Sequence, residues 1–199
     1  MSASSFSSHT IGWMAIAAGA LSLAGLVFII LFYTVGQPFG TLNDLCIGLA
    51  AILSAVLAWL MYPGHHAQSP HLSPLALVAA LVGALVVAVG SVLVVSGVTG
   101  WFLAGLYMTA GNALIGLWLI GLSYSARQSG SWPHGLAVFG LVAGVIMAVG
   151  LVAVPGILGG VDAQAAAPWY VNAGYAGGLG WLILYPIWCI WLGRILLLK

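Results

Sequence analysis

The sequence predicts an all-α fold, a polytopic membrane bundle of six transmembrane helices. Of the 199 residues, 63% are hydrophobic and only 3% are charged, whereas soluble domains carry about 25% charged residues. Several separate apolar stretches are long enough to cross a bilayer, which takes about 20 residues. The breaks between these stretches contain glycine and proline, which is typical of turns.

The predicted spans follow one another with short connections. They cover residues 11–33, 41–62, 75–98, 101–124, 135–158 and 171–198, and the turns between them lie at 36–40, 63–74, 99–100, 127–133 and 159–168. Short connections make consecutive helices antiparallel neighbours. We therefore expect a short polar tail over residues 1–10 and a single six-helix domain over residues 11–199.

The few charges predict an orientation. Arg127, Arg194 and Lys199 fall on one side of the predicted bundle, and Asp44 and Asp162 fall on the other. Basic residues are enriched on the cytoplasmic side of membrane proteins. Both chain termini are therefore expected to be cytoplasmic.

Two patterns of small residues bear on assembly. Gly83, Gly90 and Gly97 recur every seven residues, and the pairs Gly140/Gly144 and Gly174/Gly178 have GxxxG spacing. Such residues let helices approach closely, either within one chain or between chains. Short matches between spans three and five, and between spans two and four, suggest three tandem two-helix hairpins. Coincidence in a chain rich in alanine, glycine, valine and leucine is the favoured explanation.

The composition excludes several functions. Three basic residues far apart in the chain are too few to neutralise nucleic-acid phosphates. No Lys, Arg, Glu or His lies in the middle of a predicted span, although haem ligation and proton pumping usually use such residues. We expect no cofactor, no metal site, no catalytic residues and no histidine beside a buried serine. The protein is therefore predicted not to be an enzyme.

Asn43 and Asp44 open the second span and have two interpretations. Thr41 is the expected N-cap of that helix, with Asp44 in the first turn interacting with the positive end of the helix dipole. This structural interpretation is favoured. In the alternative, Asp44 faces the bundle interior and binds a polar or cationic group.

Asn112 stands midway along the fourth span, where an amide without a hydrogen bond is costly. The favoured interpretation is an interhelical hydrogen bond, and the alternative is a polar lining in a substrate path. Thr109 shares the same helix face at a spacing of three residues. Tyr107 is a further candidate on this span, although it lies off that face.

The last connection and the sixth span supply the remaining candidates. Asp162 lies in the fifth turn and Asn172 just after it. Both could cap a cavity below the turn, although a loop lying on lipid is the favoured interpretation. Pro186 follows Tyr185 in the middle of span six and should kink that helix near Leu182, because proline removes a backbone hydrogen bond. We treat Pro186 as a candidate hinge and Tyr185 as a candidate cavity residue.

Two functions fit these features. The favoured hypothesis is a non-enzymatic subunit or accessory of a membrane assembly, which acts through helix association with copies of itself or with other membrane subunits. The alternative is a passive channel or binding protein for a small neutral or apolar molecule. Its cavity would lie in the middle and outer half of the bundle. Under either hypothesis, the lipid bilayer is an expected partner of the protein.

Overall fold

A computed structural model describes residues 7–198. It contains six helices that are long and apolar enough to cross a membrane, and no β-strand occurs within these residues. They are α1 (Ser8–Thr34), α2 (Phe39–Gln68), α3 (Leu72–Val95), α4 (Trp101–Ser129), α5 (His134–Leu158) and α6 (Trp169–Leu197). The predicted fold class is confirmed, and the chain is an integral multi-pass membrane protein. The three-hairpin repeat stays a prediction.

The largest difference from the predicted spans is at the end of α2. The helix continues through Pro63 to Gln68, although proline usually ends or kinks a helix. Its last turns are tied to neighbouring helices by two imidazoles. Nε2 of His65 lies 3.1 Å from Oγ of Ser125, and Nδ1 of His66 lies 3.0 Å from Oγ of Ser73. These contacts supply polar partners that sequence periodicity does not reveal.

Helix α4 is the most buried of the six, and glycines bring its neighbours close. A Cβ atom added at Gly83 of α3 would lie 2.5 Å from the carbonyl oxygen of Gly111 on α4. On the other side of α4, a Cβ at Gly144 of α5 would lie 2.7 Å from the carbonyl oxygen of Gly116. These backbones are therefore in direct van der Waals contact, which drives helix association in lipid.

Most of the predicted small-residue stripes are used inside the chain. Gly90 faces α4, Gly140 faces Ser123 and Trp188, and Gly174 faces Ala153. Gly97 lies in a turn with a φ of 72°. The small residues thus explain the packing of a single chain.

The two ends of the bundle differ in what they hold. The terminal end contains Ser8, Leu197 and the α2–α3 and α4–α5 connections. The distal end contains the α1–α2, α3–α4 and α5–α6 connections.

Helix α6 changes partners halfway along its length. Its second half packs on α1, where Cβ atoms added at Gly12 and Gly19 would lie 3.1 Å and 3.0 Å from the carbonyl oxygens of Gly193 and Pro186. Its first half packs on α5, where Gly177 contacts Gly150. A π-helical segment, Gly180–Leu184, separates the halves and ends just before Tyr185 and Pro186. The kink predicted near Leu182 coincides with this segment, and space opens between α1 and α6 at the distal end.

The glycine contacts can be tested by substitution. Gly111→Ala should lower the free energy of unfolding by about 1–3 kcal/mol, the usual cost of overpacking, because the new methyl group would meet the backbone of Gly83 and the side chain of Val87. The matched control is Gly64→Ala in α2, where nothing lies within 4 Å of an added Cβ. Unfolding midpoints in detergent would measure both effects. Equal midpoints for the two variants would contradict the packing described here.

Candidate binding site

A cavity of about 230 Å³ lies at the distal end between α1, α2, α4 and α6. Four of the predicted binding residues line it: Asn43 and Asp44 from α2, and Thr109 and Asn112 from α4. The other four, Tyr107, Asp162, Asn172 and Tyr185, are not part of its lining. The structure therefore brings together half of the predicted site.

The remaining wall of the cavity is apolar and aromatic. Tyr33 and Trp101, which are 67% and 40% exposed, stand at its mouth. Their ring centroids are 6.3 Å apart, and those of Trp101 and Tyr175 are 6.5 Å apart. None of these three aromatic residues is among the binding candidates predicted from the sequence. All three lie at or near helix ends, where a binding residue and an interfacial anchor look alike in a sequence.

Asp44 lies inside the bundle and not in the first turn of its helix. Helix α2 begins at Phe39, two residues before Thr41, so the predicted N-cap at Thr41 is wrong. Its backbone N–H and its hydroxyl instead lie 3.4 Å from Oε1 of Gln37. The earlier start places Asp44 beyond the reach of the helix dipole, which acts within the first turn. Its side chain is buried, with 7% exposed.

Among residues 7–198, the Asp44 carboxylate has one polar partner. Nδ2 of Asn43 donates to its Oδ1 at 3.1 Å. The backbone carbonyl of Asp44 accepts a hydrogen bond of 2.6 Å from Oγ of Ser91, which ties α2 to α3. Among the described residues that line the cavity there is no Lys, Arg or His. The site thus has a carboxylate and no basic side chain to balance it.

Two buried amide oxygens in the lining have no hydrogen-bond partner. They are Oδ1 of Asn43 and Oδ1 of Asn112, and the two residues are only 3% and 5% exposed. The prediction that Asn112 forms an interhelical hydrogen bond is therefore wrong as far as its oxygen is concerned, because that oxygen has no partner. A buried polar atom without a partner costs about 1–3 kcal/mol. Thr109 lies one turn before Asn112 on the same wall.

Asp162 has a structural role near the cavity. Its Oδ2 accepts from the N–H of Gly100 at 2.7 Å, and its Oδ1 accepts from the N–H of Leu103 at 3.1 Å. These N–H groups at the start of α4 have no partner within the helix, and a carboxylate there also interacts favourably with the positive end of the helix dipole. The α5–α6 connection thus caps α4 beside Trp101.

The other three predicted residues lie elsewhere. Tyr107 packs against Gly90 of α3, and Asn172 is in the first turn of α6 with its Oδ1 buried and unpaired. Tyr185 is fully buried, and its hydroxyl donates to Oγ of Ser54 at 2.7 Å. Its ring stacks on Trp181, with centroids 4.8 Å apart. Because Trp181 lines the cavity, Tyr185 supports the floor of the site.

A second cavity, of about 220 Å³, lies at the terminal end between the same four helices. His65 lines it and lies 3.1 Å from Ser125, which is 2% exposed. The expectation that no histidine stands beside a buried serine is therefore wrong, because Pro63 was interpreted as the end of the span. Oγ of Ser125 also lies 2.8 Å from Oγ of Ser69 and 3.0 Å from the carbonyl oxygen of Gly121.

An aromatic column connects the floor of the distal cavity to the terminal cavity. Trp181 stacks on Tyr185, Tyr185 stacks on Trp188 with centroids 6.1 Å apart, and Trp188 lies 5.8 Å from Trp132. Trp132 lines the terminal cavity. Within residues 7–198, no group of three or more His, Cys, Asp or Glu side chains is placed to hold a metal ion.

Replacing Asn112 tests whether its amide serves the fold. Asn112→Leu should raise the midpoint of thermal unfolding, because it removes a buried oxygen that has no partner. The comparison variant is Tyr185→Phe, which should lower the free energy of unfolding by about 0.5–1.5 kcal/mol through loss of the bond to Ser54. A loss of stability in Asn112→Leu as large as that in Tyr185→Phe would mean that the amide is a structural hydrogen-bonding group.

Asp162→Ala tests the cap of α4. It should lower the free energy of unfolding by about 0.5–2 kcal/mol, the usual loss for a helix cap. Asp162→Asn keeps an oxygen acceptor and should lose less. Thermal unfolding in detergent measures both, and an unchanged midpoint for Asp162→Ala would show that the cap does not stabilise the fold.

No family model, no curated protein and no solved structure matches the chain, so the function is argued from the site.

Proposed function

We propose that the protein is a non-enzymatic, membrane-embedded binding protein for a small molecule that enters the distal cavity. One observation carries this proposal. A cavity inside the bundle is lined by Asn43, Asp44, Thr109 and Asn112, and two buried amide oxygens among them are unpaired. This is the binding-protein alternative of the two functions predicted from the sequence.

The energetics of the site support a ligand. Each unpaired amide oxygen destabilises the folded chain. An apolar side chain of similar size in place of Asn112 would break no hydrogen bond to the amide oxygen, because that oxygen has none. Both oxygens are buried, so a ligand that donates hydrogen bonds would satisfy them once the two amide side chains turn toward the cavity. The rest of the lining, including Ile29, Met108 and Leu182, suits an apolar body. Such a division of polar and apolar groups is typical of small-molecule pockets.

The geometry at the terminal end supports a role without catalysis. A serine nucleophile needs a base to take its proton and a third group to orient that base. The single hydroxyl proton of Ser125 has two acceptors within reach, the carbonyl oxygen of Gly121 and Oγ of Ser69, and the two aspartates of the chain lie at the distal end. We therefore interpret the His65–Ser125 contact as a link between α2 and α4.

The subunit hypothesis stays a prediction. Its main support was the small-residue pattern, and those residues pack within the chain, as at Gly83–Gly111 and Gly116–Gly144. Purification in mild detergent would test it through a stable complex of defined stoichiometry, with copies of this chain or with other membrane subunits.

Passage through the bundle is a second candidate, because both cavities lie between the same four helices. The column of Trp181, Tyr185 and Trp188 separates them. A conduit would require this column to move, and the π-helical segment before Pro186 is the place where α6 could bend.

The accessibility of the cavity tests the proposed function. In a Cys46→Ser background, Thr109→Cys should react with methyl methanethiosulfonate, because Thr109 lines the cavity. Ala113→Cys, one turn deeper and fully buried against α5, should not react. The native thiol of Cys189 is fully buried and should react only after denaturation, so mass spectrometry of the intact protein also reports that the fold is preserved.

A cavity-filling pair completes this experiment. Gly178 lines the distal cavity and Gly64 lines the terminal cavity, and both have open space where a Cβ would be added. Gly178→Leu should block the reaction of Thr109→Cys, and Gly64→Leu should leave it unchanged. A folded Thr109→Cys protein that does not react would contradict the proposed function.

Sealed proteoliposomes distinguish a pocket from a conduit. The impermeant cation 2-(trimethylammonium)ethyl methanethiosulfonate, added outside, should label complementary fractions of Thr109→Cys and Ser131→Cys, because these positions belong to opposite cavities. A conduit would instead give complete labelling of Thr109→Cys.

A further inference from the structure

We propose that the ligand of the distal cavity is a small molecule with a primary ammonium group on an apolar body. The ammonium group would bind at Asp44, Asn43 and Asn112. This proposal rests on the proposed function and names the class of ligand for the same site.

The first argument is the charge of the site. Asp44 is the only acidic residue within the described spanning helices, and no basic side chain among the described residues lines its cavity. A buried carboxylate is costly unless an opposite charge and hydrogen bonds compensate for its lost hydration. Asn43 supplies one hydrogen bond and no charge. A cationic ligand would supply the missing charge.

The second argument is the excess of acceptors. The Asp44 carboxylate belongs to the lining, and beside it the lining residues Asn43 and Asn112 carry unpaired oxygens that lie behind the cavity surface, as does the unpaired donor Nε1 of Trp181. An ammonium group carries three N–H donors and no acceptor. It therefore matches this set better than a hydroxyl group, which has one donor, or a quaternary ammonium group, which has none.

The third argument is the position of the apolar groups. The polar residues lie below the mouth of the cavity, and Thr109 and Asn112 are two to three helical turns beyond Trp101 on α4. Tyr33, Trp101 and Tyr175 surround the mouth. An apolar body attached to the ammonium group would extend toward these rings. Their faces also attract cations, which favours entry of a charged ligand.

The experiment compares two probes of similar shape in purified protein reconstituted in lipid nanodiscs. Benzylamine is a primary ammonium ion at pH 7, and benzyl alcohol is neutral. Isothermal titration calorimetry measures both, with protein-free nanodiscs as the control for partitioning into lipid. We expect benzylamine to bind roughly 10- to 100-fold more tightly than benzyl alcohol, the difference typical of hydrogen bonds to a charged group. Benzyltrimethylammonium, which has the charge without the donors, should bind more weakly than benzylamine.

A matched pair of variants locates the effect. Asp44→Asn removes the carboxylate of the cavity and should weaken benzylamine binding by roughly tenfold or more, with little change for benzyl alcohol. Asp162→Asn removes the other aspartate at the same end of the bundle, outside the cavity, and should leave both affinities unchanged. Equal losses in the two variants would overturn the assignment to Asp44.

A second measurement is independent of whether Asp44→Asn folds. Benzylamine should protect Thr109→Cys from methyl methanethiosulfonate in protein that retains Asp44, and benzyl alcohol at the same concentration should protect less. Equal protection or equal affinity for the two probes would overturn the ammonium proposal and leave the binding function standing. Reaction of Thr109→Cys without protection by benzylamine would also overturn it. An unreactive Thr109→Cys in a folded protein would overturn the proposed function itself.

Discussion

The structure depends on one constraint, namely that polar groups surrounded by lipid must find partners inside the chain. The helices meet this constraint for the backbone. Several hydroxyl groups meet it locally, since Ser22 and Ser54 donate to the carbonyl oxygens of Ala18 and Ala50 one turn earlier. Ser91 meets it between helices by bonding to Asp44. Among the buried polar atoms that lack a partner are the oxygens of Asn43 and Asn112, and both of these residues line the same cavity.

Glycine packing determines where that cavity can form. Backbone contacts such as Gly83–Gly111 and Gly116–Gly144 hold α3 and α5 directly against the middle of α4. Helix α6 is different, because its two halves pack on different neighbours and a π-helical segment joins them. The first half follows α5 and the second half follows α1. The opening between α1 and α6 is thus a consequence of how one helix divides its contacts.

The two aspartates at the distal end have different hydrogen-bond partners. Asp162 satisfies the first N–H groups of α4 and holds that helix end beside Trp101. Asp44 has no comparable role, since it lies beyond the first turn of α2 and its carboxylate has a single amide partner. The two aspartates thus differ in their partners because they occupy different positions in the fold. One caps the start of α4, and the other lines the cavity with an amide as its partner.

The sequence by itself determined that the chain lies in lipid, that its fold is all-α and that it has six spans, because these follow from local composition and spacing. The kink predicted before Pro186 stays a prediction, and a π-helical segment lies at that place. The sequence also identified Asn43, Asp44, Thr109 and Asn112 as candidates. It was wrong about the N-cap at Thr41, because α2 begins earlier, at Phe39. It was also wrong about the hydrogen bond of the Asn112 oxygen and about the absence of a buried serine beside a histidine, because both depend on the side chains that neighbouring helices present. Only the tertiary structure decided that four candidates share one cavity and that Asp162 and Tyr185 stand outside it. Packing between helices sets those distances, and residues far apart in the chain, such as Ser54 and Tyr185, meet only there.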